Sequence, residues 1–318
     1  MTDSFLYLPD AELEGMIISP NDVAAAIEDA LHAKAKGTLH TAPKTPILPG
    51  RDRYMMSTMA VGDDGFTVVK QVSVCPENPA KGLPAINGAI MVLDAETGLL
   101  RAIVGANWVT AVRTAALSAV AAKRLADPAS QTIAFVGTGV QAHSHLEAFA
   151  ALFPLKRVRI LGRGQANIEK LARKAEGMGF EAKACATPDE ALRDADIVVT
   201  SVTLDYTIKP FLNAALLKPN AFAAITDLCI PWLPDSMPSF KTVFVDDRAQ
   251  EAESAKPMLP YDQIAGDLTD LVMQSPDIKS ENRPTAFAFR GIALGDYAAA
   301  VLALRRAEAS GAGIHVGD

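Results

Sequence analysis

The fold is decided by the stretch Thr132-Ile133-Ala134-Phe135-Val136-Gly137-Thr138-Gly139-Val140-Gln141-Ala142. Its first five residues predict a buried strand, and the glycines follow at once, ahead of a helical run to Leu152. Two glycines allow a tight turn and a close approach of the backbone to a pyrophosphate, whose charge is attracted by the amides at the helix N-terminus. Ala142 takes the third glycine position and still allows close packing of helix on strand. This pattern predicts dinucleotide binding.

Strands and helices continue to alternate after this turn. The sequence predicts strands at 158–161, 181–185, 196–200, 221–225 and 241–246, a helix at 167–177, and a capped helix that begins after Thr187. This alternation is typical of an α/β fold with a Rossmann-type doubly wound parallel sheet.

The N-terminal third has a different pattern, which predicts an α+β domain. Ser19-Pro20-Asn21-Asp22 is a capping signal before a helix at 23–35. Alternating apolar residues predict strands at 66–74 and 88–94, with a hairpin to 99–104. A further helix is predicted at 108–125, and near the C-terminus a helix at 293–308 is expected to end in a loose tail.

Composition and charge exclude several classes of protein. The chain has 318 residues, 49% hydrophobic and 21% charged, with a net charge of −7, which is the balance of a two-domain globular protein. The acidic balance argues against nucleic acid and against anionic membranes as partners. The N-terminus lacks the cations and the apolar run of a signal peptide, and three cysteines form no disulfide framework, so a cytoplasmic location is expected. No metal site is expected, since His143 and His145 follow the glycine turn and should face outward on its helix.

Three polar residues stand in apolar surroundings. Lys70 interrupts the strand at 66–74, Arg113 lies in a helix of small residues, and Asp227 follows the strand at 221–225. The carboxyl ends of parallel strands are where doubly wound folds bind ligands, so Asp227 is a candidate site residue. Spacing alone leaves other interpretations open, namely an outward edge-strand lysine, an interdomain salt bridge and a helix cap.

The residues after the second Rossmann strand bear on the choice of cofactor. An acid usually stands there to bind the ribose of NAD, but this chain has Gly162-Arg163-Gly164. A guanidinium in place of a carboxylate suits a 2′-phosphate and favours NADP(H) over NAD(H). Stacking of Arg163 on adenine, or exposure to solvent, is the alternative.

Taken together, these motifs resemble the ornithine cyclodeaminase/mu-crystallin family, in the same order and over nearly the whole chain. The similarity rests on 69–74, 81–84, 111–116, 137–142, 196–200, Asp227 and 245–248. It implies a substrate-binding and dimerisation domain at 1–118 and 291–318, a Rossmann NAD(P)-binding domain at 119–290, and a homodimer. The family includes cyclodeaminases, alanine dehydrogenases and imine reductases, and some members bind ligands with little turnover.

The resemblance also implies roles for single residues. Arg113 and Lys70 would bind the substrate α-carboxylate, and Asp227 would be the general acid–base at the substrate nitrogen. Apart from the resemblance, the cations Lys44, Arg51 and Arg53 would bind the second carboxylate of a dicarboxylic imine such as iminosuccinate, unless they belong to a solvated loop. The cofactor would contact Arg163 and Thr114, Gly137, Thr138, Gly139, Val140, Gln141, Thr200, Ser201, Val202 and Asp227.

Departures from the family pattern bear on the reaction. Lys44 follows Pro43 where the family has Arg, Ala85 replaces a Thr typical of cyclodeaminases, and a Lys expected after Asp227 is missing. The sequence therefore favours NAD(P)H-dependent reduction of a small 2-imino acid to an L-amino acid, such as iminosuccinate, iminopropionate or pyrroline-2-carboxylate. The alternatives are a cyclodeaminase-type lyase with catalytic NAD and a non-catalytic protein that binds NADP and a small ligand.

Overall fold

A computed structural model describes residues 4–203, 206–274 and 282–317. The chain forms two compact units, one of Met1–Arg113 with Ile292–Asp318 and one of Thr114–Gly291. The first boundary lies inside a helix, after Arg113 rather than after residue 118. No helix in the described ranges is both long and apolar enough to cross a membrane.

The elements of the first unit up to the boundary helix are β1 Phe5–Leu8, α1 Asp10–Gly15, α2 Pro20–Lys36, β2 Leu39–Thr41, β3 Thr45–Ile47, β4 Tyr54–Gly62, β5 Phe66–Val74, β6 Ile86–Asp94, β7 Leu100–Gly105 and α3 Ala106–Leu125. The second unit continues with β8 Thr132–Val136, α4 Val140–Ala150, β9 Arg157–Leu161, α5 Gln165–Gly177, β10 Glu181–Ala184, α6 Pro188–Leu192, β11 Ile197–Thr200, β12 Phe222–Ile225, β13 Thr242–Val245, α7 Arg248–Ala252, β14 Ile264–Asp267, α8 Leu268–Gln274 and β15 Thr285–Ala288. The chain then returns to the first unit with α9 Ala293–Ser310 and β16 Ile314–Val316.

The first unit is built on a sheet in the order β16-β1-β7-β6-β5-β4-β2, with β3 paired to β4. Strands β4 to β7 form an antiparallel meander, whereas β1 runs parallel to β7. Successive side chains of a strand point to opposite faces, so Val68, Lys70 and Val72 of β5 share one buried face. Helix α9 packs against β4 and β5 and against α2.

The other face of this sheet carries a continuous apolar row, which we call the outer row. It follows the strand register across β4, β5, β6, β7, β1 and β16, through Met59, Val69, Met91, Ile103, Tyr7 and Ile314. Met59 and Met91 are 46% and 43% exposed. An apolar row of this length on an exposed sheet face is typical of an interaction surface.

The C-terminal tail is ordered, which corrects the expectation of a loose end. Helix α9 ends where Gly311 adopts a left-handed conformation, and Ile314–Val316 then pairs antiparallel with β1. A Cβ at Gly313 would lie 2.6 Å from Leu8, so this glycine allows the tail to pack closely. The tail thereby covers the edge of β1.

The second unit is the predicted Rossmann-type α/β domain. Its sheet has the order β10-β9-β8-β11-β12-β15-β13-β14, and every strand pair is parallel. The chain order reverses between β8 and β11, and ligands of open α/β sheets bind beyond the carboxyl ends of strands at such a point. The glycine turn at Gly137 follows β8 directly.

Candidate active site

Lys70 lies on the buried face of the first unit's sheet and is fully enclosed. Its side chain has no exposed surface, and its Nζ lies 2.6 Å from Asp296 Oδ1. The neighbouring strands place Thr58 and Ile90 opposite it. Because β5 lies between β4 and β6 and Lys70 points inward, the interpretation as an outward edge-strand lysine is wrong.

Asp296 joins the two predicted cations of this unit. It stands in the first turn of α9, where the helix dipole favours a negative charge. Its Oδ1 lies 3.0 Å from Arg113 Nε, and its Oδ2 accepts a hydrogen bond of 3.0 Å from Thr58 Oγ1. Arg113 therefore has an ion-pair partner within its own unit. We call Lys70, Arg113 and Asp296 the cationic cluster.

The cationic cluster has a net charge of +1 near neutral pH. Burial lowers the pKa of Lys70 to about 8; Asp296 opposes this shift, and Arg113 adds to it. Burial alone would raise the pKa of Asp296, but the charges of Lys70 and Arg113 lower it overall. Two cations and one carboxylate within this buried cluster sum to one positive charge.

The other predicted cations lie in the segment around β3. The guanidinium of Arg53 donates hydrogen bonds to the carbonyl oxygens of Gly50 and Pro49, both at 3.2 Å. Lys44 is half-buried just before β3. Arg53 is thus hydrogen-bonded to its own loop.

Asp227 follows β12 at the carboxyl end of the Rossmann sheet and is buried. Thr200 Oγ1 donates a hydrogen bond of 3.0 Å to Asp227 Oδ1, and the Val202 amide donates one of 3.0 Å to Oδ2. Trp232 Nε1 donates in turn to Thr200 Oγ1 at 3.4 Å. The carboxyl group is fixed by the end of the neighbouring strand β11, so Asp227 is not a helix cap.

The environment of Asp227 brings its titration close to neutral pH. Burial raises its pKa to about 7, against the lowering effect of the hydrogen bonds from Val202 and Thr200. A carboxyl group with this pKa can both donate and accept a proton under physiological conditions. Leu228 and Cys229, which follow it, both have left-handed backbone conformations, and such strain is found where a neighbouring group must be held in place.

The glycine turn after β8 has the geometry of a dinucleotide site. Gly137 has a φ of 105°, and a Cβ there would lie 2.6 Å from the carbonyl oxygen of Ser201. Gly139 has an ordinary φ of −84°, and a Cβ there would meet no atom of the described residues within 4 Å. The fold therefore requires a glycine at position 137. At Gly139 it does not, and the missing side chain leaves open space in front of the first turn of α4. None of the described side chains caps α4, so its amides suit a pyrophosphate.

The other predicted cofactor residues lie on the same unit. Thr138 is buried, and its side chain leaves no room for a larger residue at Gly162, where a Cβ would lie 2.8 Å from Thr138 Cγ2. Val140 and Arg163 are exposed, Gln141, Ser201 and Val202 are partly buried, and Thr114 is buried. Arg163 follows β9, and the first acid after it in the sequence is Glu169.

One of the two histidines after the glycine turn differs from expectation. His145 is completely buried, with Nδ1 2.8 Å from the Gln141 carbonyl oxygen and Nε2 2.9 Å from Ser118 Oγ. Burial lowers its pKa to about 4, so it is neutral and links α4 to α3. The expected outward orientation is therefore wrong for His145. Within the described ranges, no group of His, Cys, Asp and Glu is arranged to hold a metal ion.

The order of these motifs is that of a known protein family, whose sequence profile matches residues 8–311. The chain belongs to the ornithine cyclodeaminase/mu-crystallin family. Ketimine reductase mu-crystallin of Macropus fuliginosus is 30% identical over 312 residues, which are 95% of this chain and 97% of that protein.

Solved structures of this family share the fold. A Thermococcus litoralis Δ1-pyrroline-2-carboxylate reductase, in complex with NADH and L-proline, superposes with a TM-score of 0.88 at 24% identity and covers 98% of this chain and 100% of its own. An archaeal alanine dehydrogenase dimer with bound NAD has a TM-score of 0.87 at 23% identity, with 98% and 99% covered. At these identities the similarity establishes the fold.

The loop after Asp227 contains Trp232, whose indole is buried and hydrogen-bonded to Thr200. Both Trp232 and Asp296 were missed by the sequence reasoning. An acid in the alanine-rich run of α9 was the available signal for Asp296.

Proposed function

We propose that the protein is an oxidoreductase that uses NAD(P)H to reduce the C=N bond of a small 2-imino acid to the L-amino acid. The observation that carries this proposal is Asp227, a buried carboxyl group with a pKa of about 7 at the ligand-binding edge of a Rossmann sheet. A dehydrogenase that acts on C–N bonds needs such a group to exchange a proton with nitrogen.

The cationic cluster supplies the second requirement, recognition of a carboxylate. Arg113 offers a planar fork for both carboxylate oxygens, and Lys70 adds a second cation. A carboxylate is the group common to all 2-imino acids, and its charge is opposite to that of Lys70 and Arg113. Arg53 is bound to its own loop, so support for a dicarboxylic substrate is weaker than for a monocarboxylic one.

The cofactor would be held by the glycine turn of the second unit. The amides at the start of α4 would bind the pyrophosphate in front of Gly139, and Thr138 would shape the turn. Arg163 stands after β9 without a nearby acid in sequence, which supports NADP(H) as the preferred form. When bound, the nicotinamide supplies a hydride to the substrate carbon.

The chain's own residues would handle charge and protons. Lys70 and Arg113 bind the carboxylate and orient the carbon next to it. Protonated Asp227 gives its proton to the substrate nitrogen on reduction, and ionised Asp227 accepts one in amino acid oxidation. Thr200 and Val202 hold the two oxygens of this carboxyl group, so the proton is transferred from a fixed position.

We further propose that the protein is a homodimer, with the outer row buried against a second copy. The row crosses six strands in register, and its methionine, tyrosine and isoleucine side chains adapt well to a self-complementary contact. The dimeric archaeal alanine dehydrogenase of the same fold supports this assignment.

Free Cys75, Cys185 and Cys229 support a cytoplasmic location.

The test is oxidation of NADPH or NADH, followed by absorbance, with a panel of imines. Glyoxylate, pyruvate and oxaloacetate are each supplied with ammonia, and Δ1-pyrroline-2-carboxylate is supplied alone. We expect oxidation with at least one member, faster with NADPH. A Lys70→Met variant purified in the same way controls for contaminating enzymes and should be inactive.

Two other outcomes would contradict the proposal. Release of ammonia from a diamino acid with no net oxidation of cofactor would assign the protein to the cyclodeaminase-type lyases. Binding of NADPH without turnover of any substrate would assign it to the ligand-binding members of the family.

A further inference from the structure

The feature behind this inference is the position of Asp296 between two buried cations. Lys70 Nζ and Arg113 Nε lie 2.6 Å and 3.0 Å from the same oxygen, Asp296 Oδ1. One carboxylate oxygen thus fixes the distance between an ammonium on β5 and a guanidinium on α3. Thr58 on β4 holds the other oxygen, so the carboxylate cannot rotate freely.

Burial strengthens the electrostatic interactions among the three charged side chains of the cationic cluster. The side chains of Lys70, Arg113 and Asp296 are 0%, 7% and 3% exposed. Two like charges at this depth repel each other strongly unless an anion lies between them. The first turn of α9 adds the favourable end of a helix dipole to the carboxylate.

We infer that Asp296 is a positioning residue for the proposed imine reduction, which holds Lys70 charged beside Arg113 so that the pair binds one substrate carboxylate. This inference rests on the proposed function for the identity of the substrate. Asp296 does not itself contact substrate; it acts through the two cations.

The elements packed around Lys70 define what should happen when Asp296 loses its charge. The facing charged groups are Asp296 on α9 and Arg113 on α3, while the strands alongside present Thr58 and Ile90. Of the two charged groups, only Asp296 stabilises the ammonium form of Lys70, which already has a pKa of about 8. Without it, Lys70 would lose its proton below pH 8, and binding of the carboxylate would weaken.

The experiment compares Asp296→Asn with the wild type in the KM for the imino acid between pH 6 and pH 8.5. We expect the KM of the variant at pH 7.5 to rise about tenfold for each pH unit by which the pKa of Lys70 falls below that pH. At pH 6 the KM should return to the wild-type value or below it, because Lys70 is protonated again. The KM for NADPH should stay within about twofold, since the cofactor-binding turn belongs to the other unit.

Two further variants separate positioning from a general loss of structure. Asp64→Asn removes a carboxylate that pairs with Arg305 and Tyr297 of the same helix, so it should lower stability without changing the pH dependence of KM. Asp296→Glu keeps the charge and should restore a profile that begins to rise near pH 8. A ratio of variant to wild-type KM that stays constant from pH 6 to pH 8.5 would overturn the inference.

A binding measurement keeps the inference testable independently of turnover. Pyrrole-2-carboxylate is planar and carries a carboxylate but no reducible C=N bond, so its affinity can be measured by calorimetry whether or not any imine is reduced. If the wild type reduces no imine yet binds this probe with the expected pH dependence, the proposed function fails and the role of Asp296 stands. If the wild type binds no carboxylate, the role of Asp296 is refuted.

If Asp296→Asn does not fold, Thr58→Val supplies the test. It removes the donor that holds Asp296 Oδ2 and should raise the KM by about two- to threefold in the same pH range. An unchanged KM in a folded Thr58→Val protein would then count against the inference.

Discussion

Replacement of Asp227 by Asn should have opposite effects on turnover and on stability. The burial that raises the pKa of Asp227 from 3.8 to about 7 means that its charged form is disfavoured in the folded protein. In the unfolded chain the same carboxyl group is ionised at pH 5 and above. The folded-state pKa is the raised one, so this group's contribution to stability is fully present below pH 4 and is lost as the pH rises towards 7.

The magnitude follows from the linkage between pKa and stability. A difference of one pH unit between the folded and unfolded pKa corresponds to about 1.4 kcal/mol, so from pH 5 to pH 8 the ionisation of Asp227 should destabilise the wild type by roughly 2–3 kcal/mol. Asn does not titrate, and its amide can accept from Val202 and donate to Thr200. The free energy of unfolding of Asp227→Asn, relative to the wild type, should therefore increase by this amount over the same pH range.

The assay is urea unfolding at pH 5 and pH 8, followed by tryptophan fluorescence in a Trp108→Phe background. Trp232 then reports on the second unit alone, since the chain has two tryptophans. Asp235→Asn, at an exposed position of the same unit, is the matched control for removal of a carboxylate. Turnover should fall by about 10²- to 10⁴-fold in Asp227→Asn. A relative stability that does not change between pH 5 and pH 8 would refute the raised pKa, and unchanged turnover would refute the role in proton transfer.

Three further predictions concern the cofactor and the partner. Gly139→Val should weaken NADPH binding at least about tenfold in a fluorescence titration, without loss of thermal stability. Gly137→Ala should instead destabilise the fold by about 1–3 kcal/mol, as measured by calorimetry. Arg163→Asp should raise the KM for NADPH about tenfold or more and leave that for NADH nearly unchanged; equal changes would contradict a 2′-phosphate contact. Met91→Glu, in the outer row, should convert the proposed dimer to a particle near 33.6 kDa in light scattering, and a wild type already at that mass would contradict that proposal.

Local patterns predicted most elements of the second unit, because parallel strands buried on both faces are short apolar runs. The glycine turn, β8 and the position of Asp227 all follow from neighbouring residues in sequence. The first unit was predicted less completely. Strand β4 is rich in methionine, and β1 and β16 are short segments whose pairing depends on each other across the length of the chain.

The candidate site shows the same division between local and distant information. Lys70 and Arg113 stand out because each interrupts an apolar pattern. Their common partner Asp296 is 226 residues from Lys70 in sequence, and no local pattern reveals that contact. The hydrogen bond from Trp232 to Thr200 likewise depends on how the loop after β12 folds back, which residue spacing does not determine.

The most direct test of the account is the fate of deuterium from nicotinamide cofactor labelled at C4. With NADPH deuterated on the transferred face, and with whichever imine the panel identifies, mass spectrometry should find one deuterium at Cα of the L-amino acid for each cofactor oxidised. Product that forms without deuterium, or ammonia released from a diamino acid with no net oxidation of cofactor, would contradict imine reduction as the reaction of this protein.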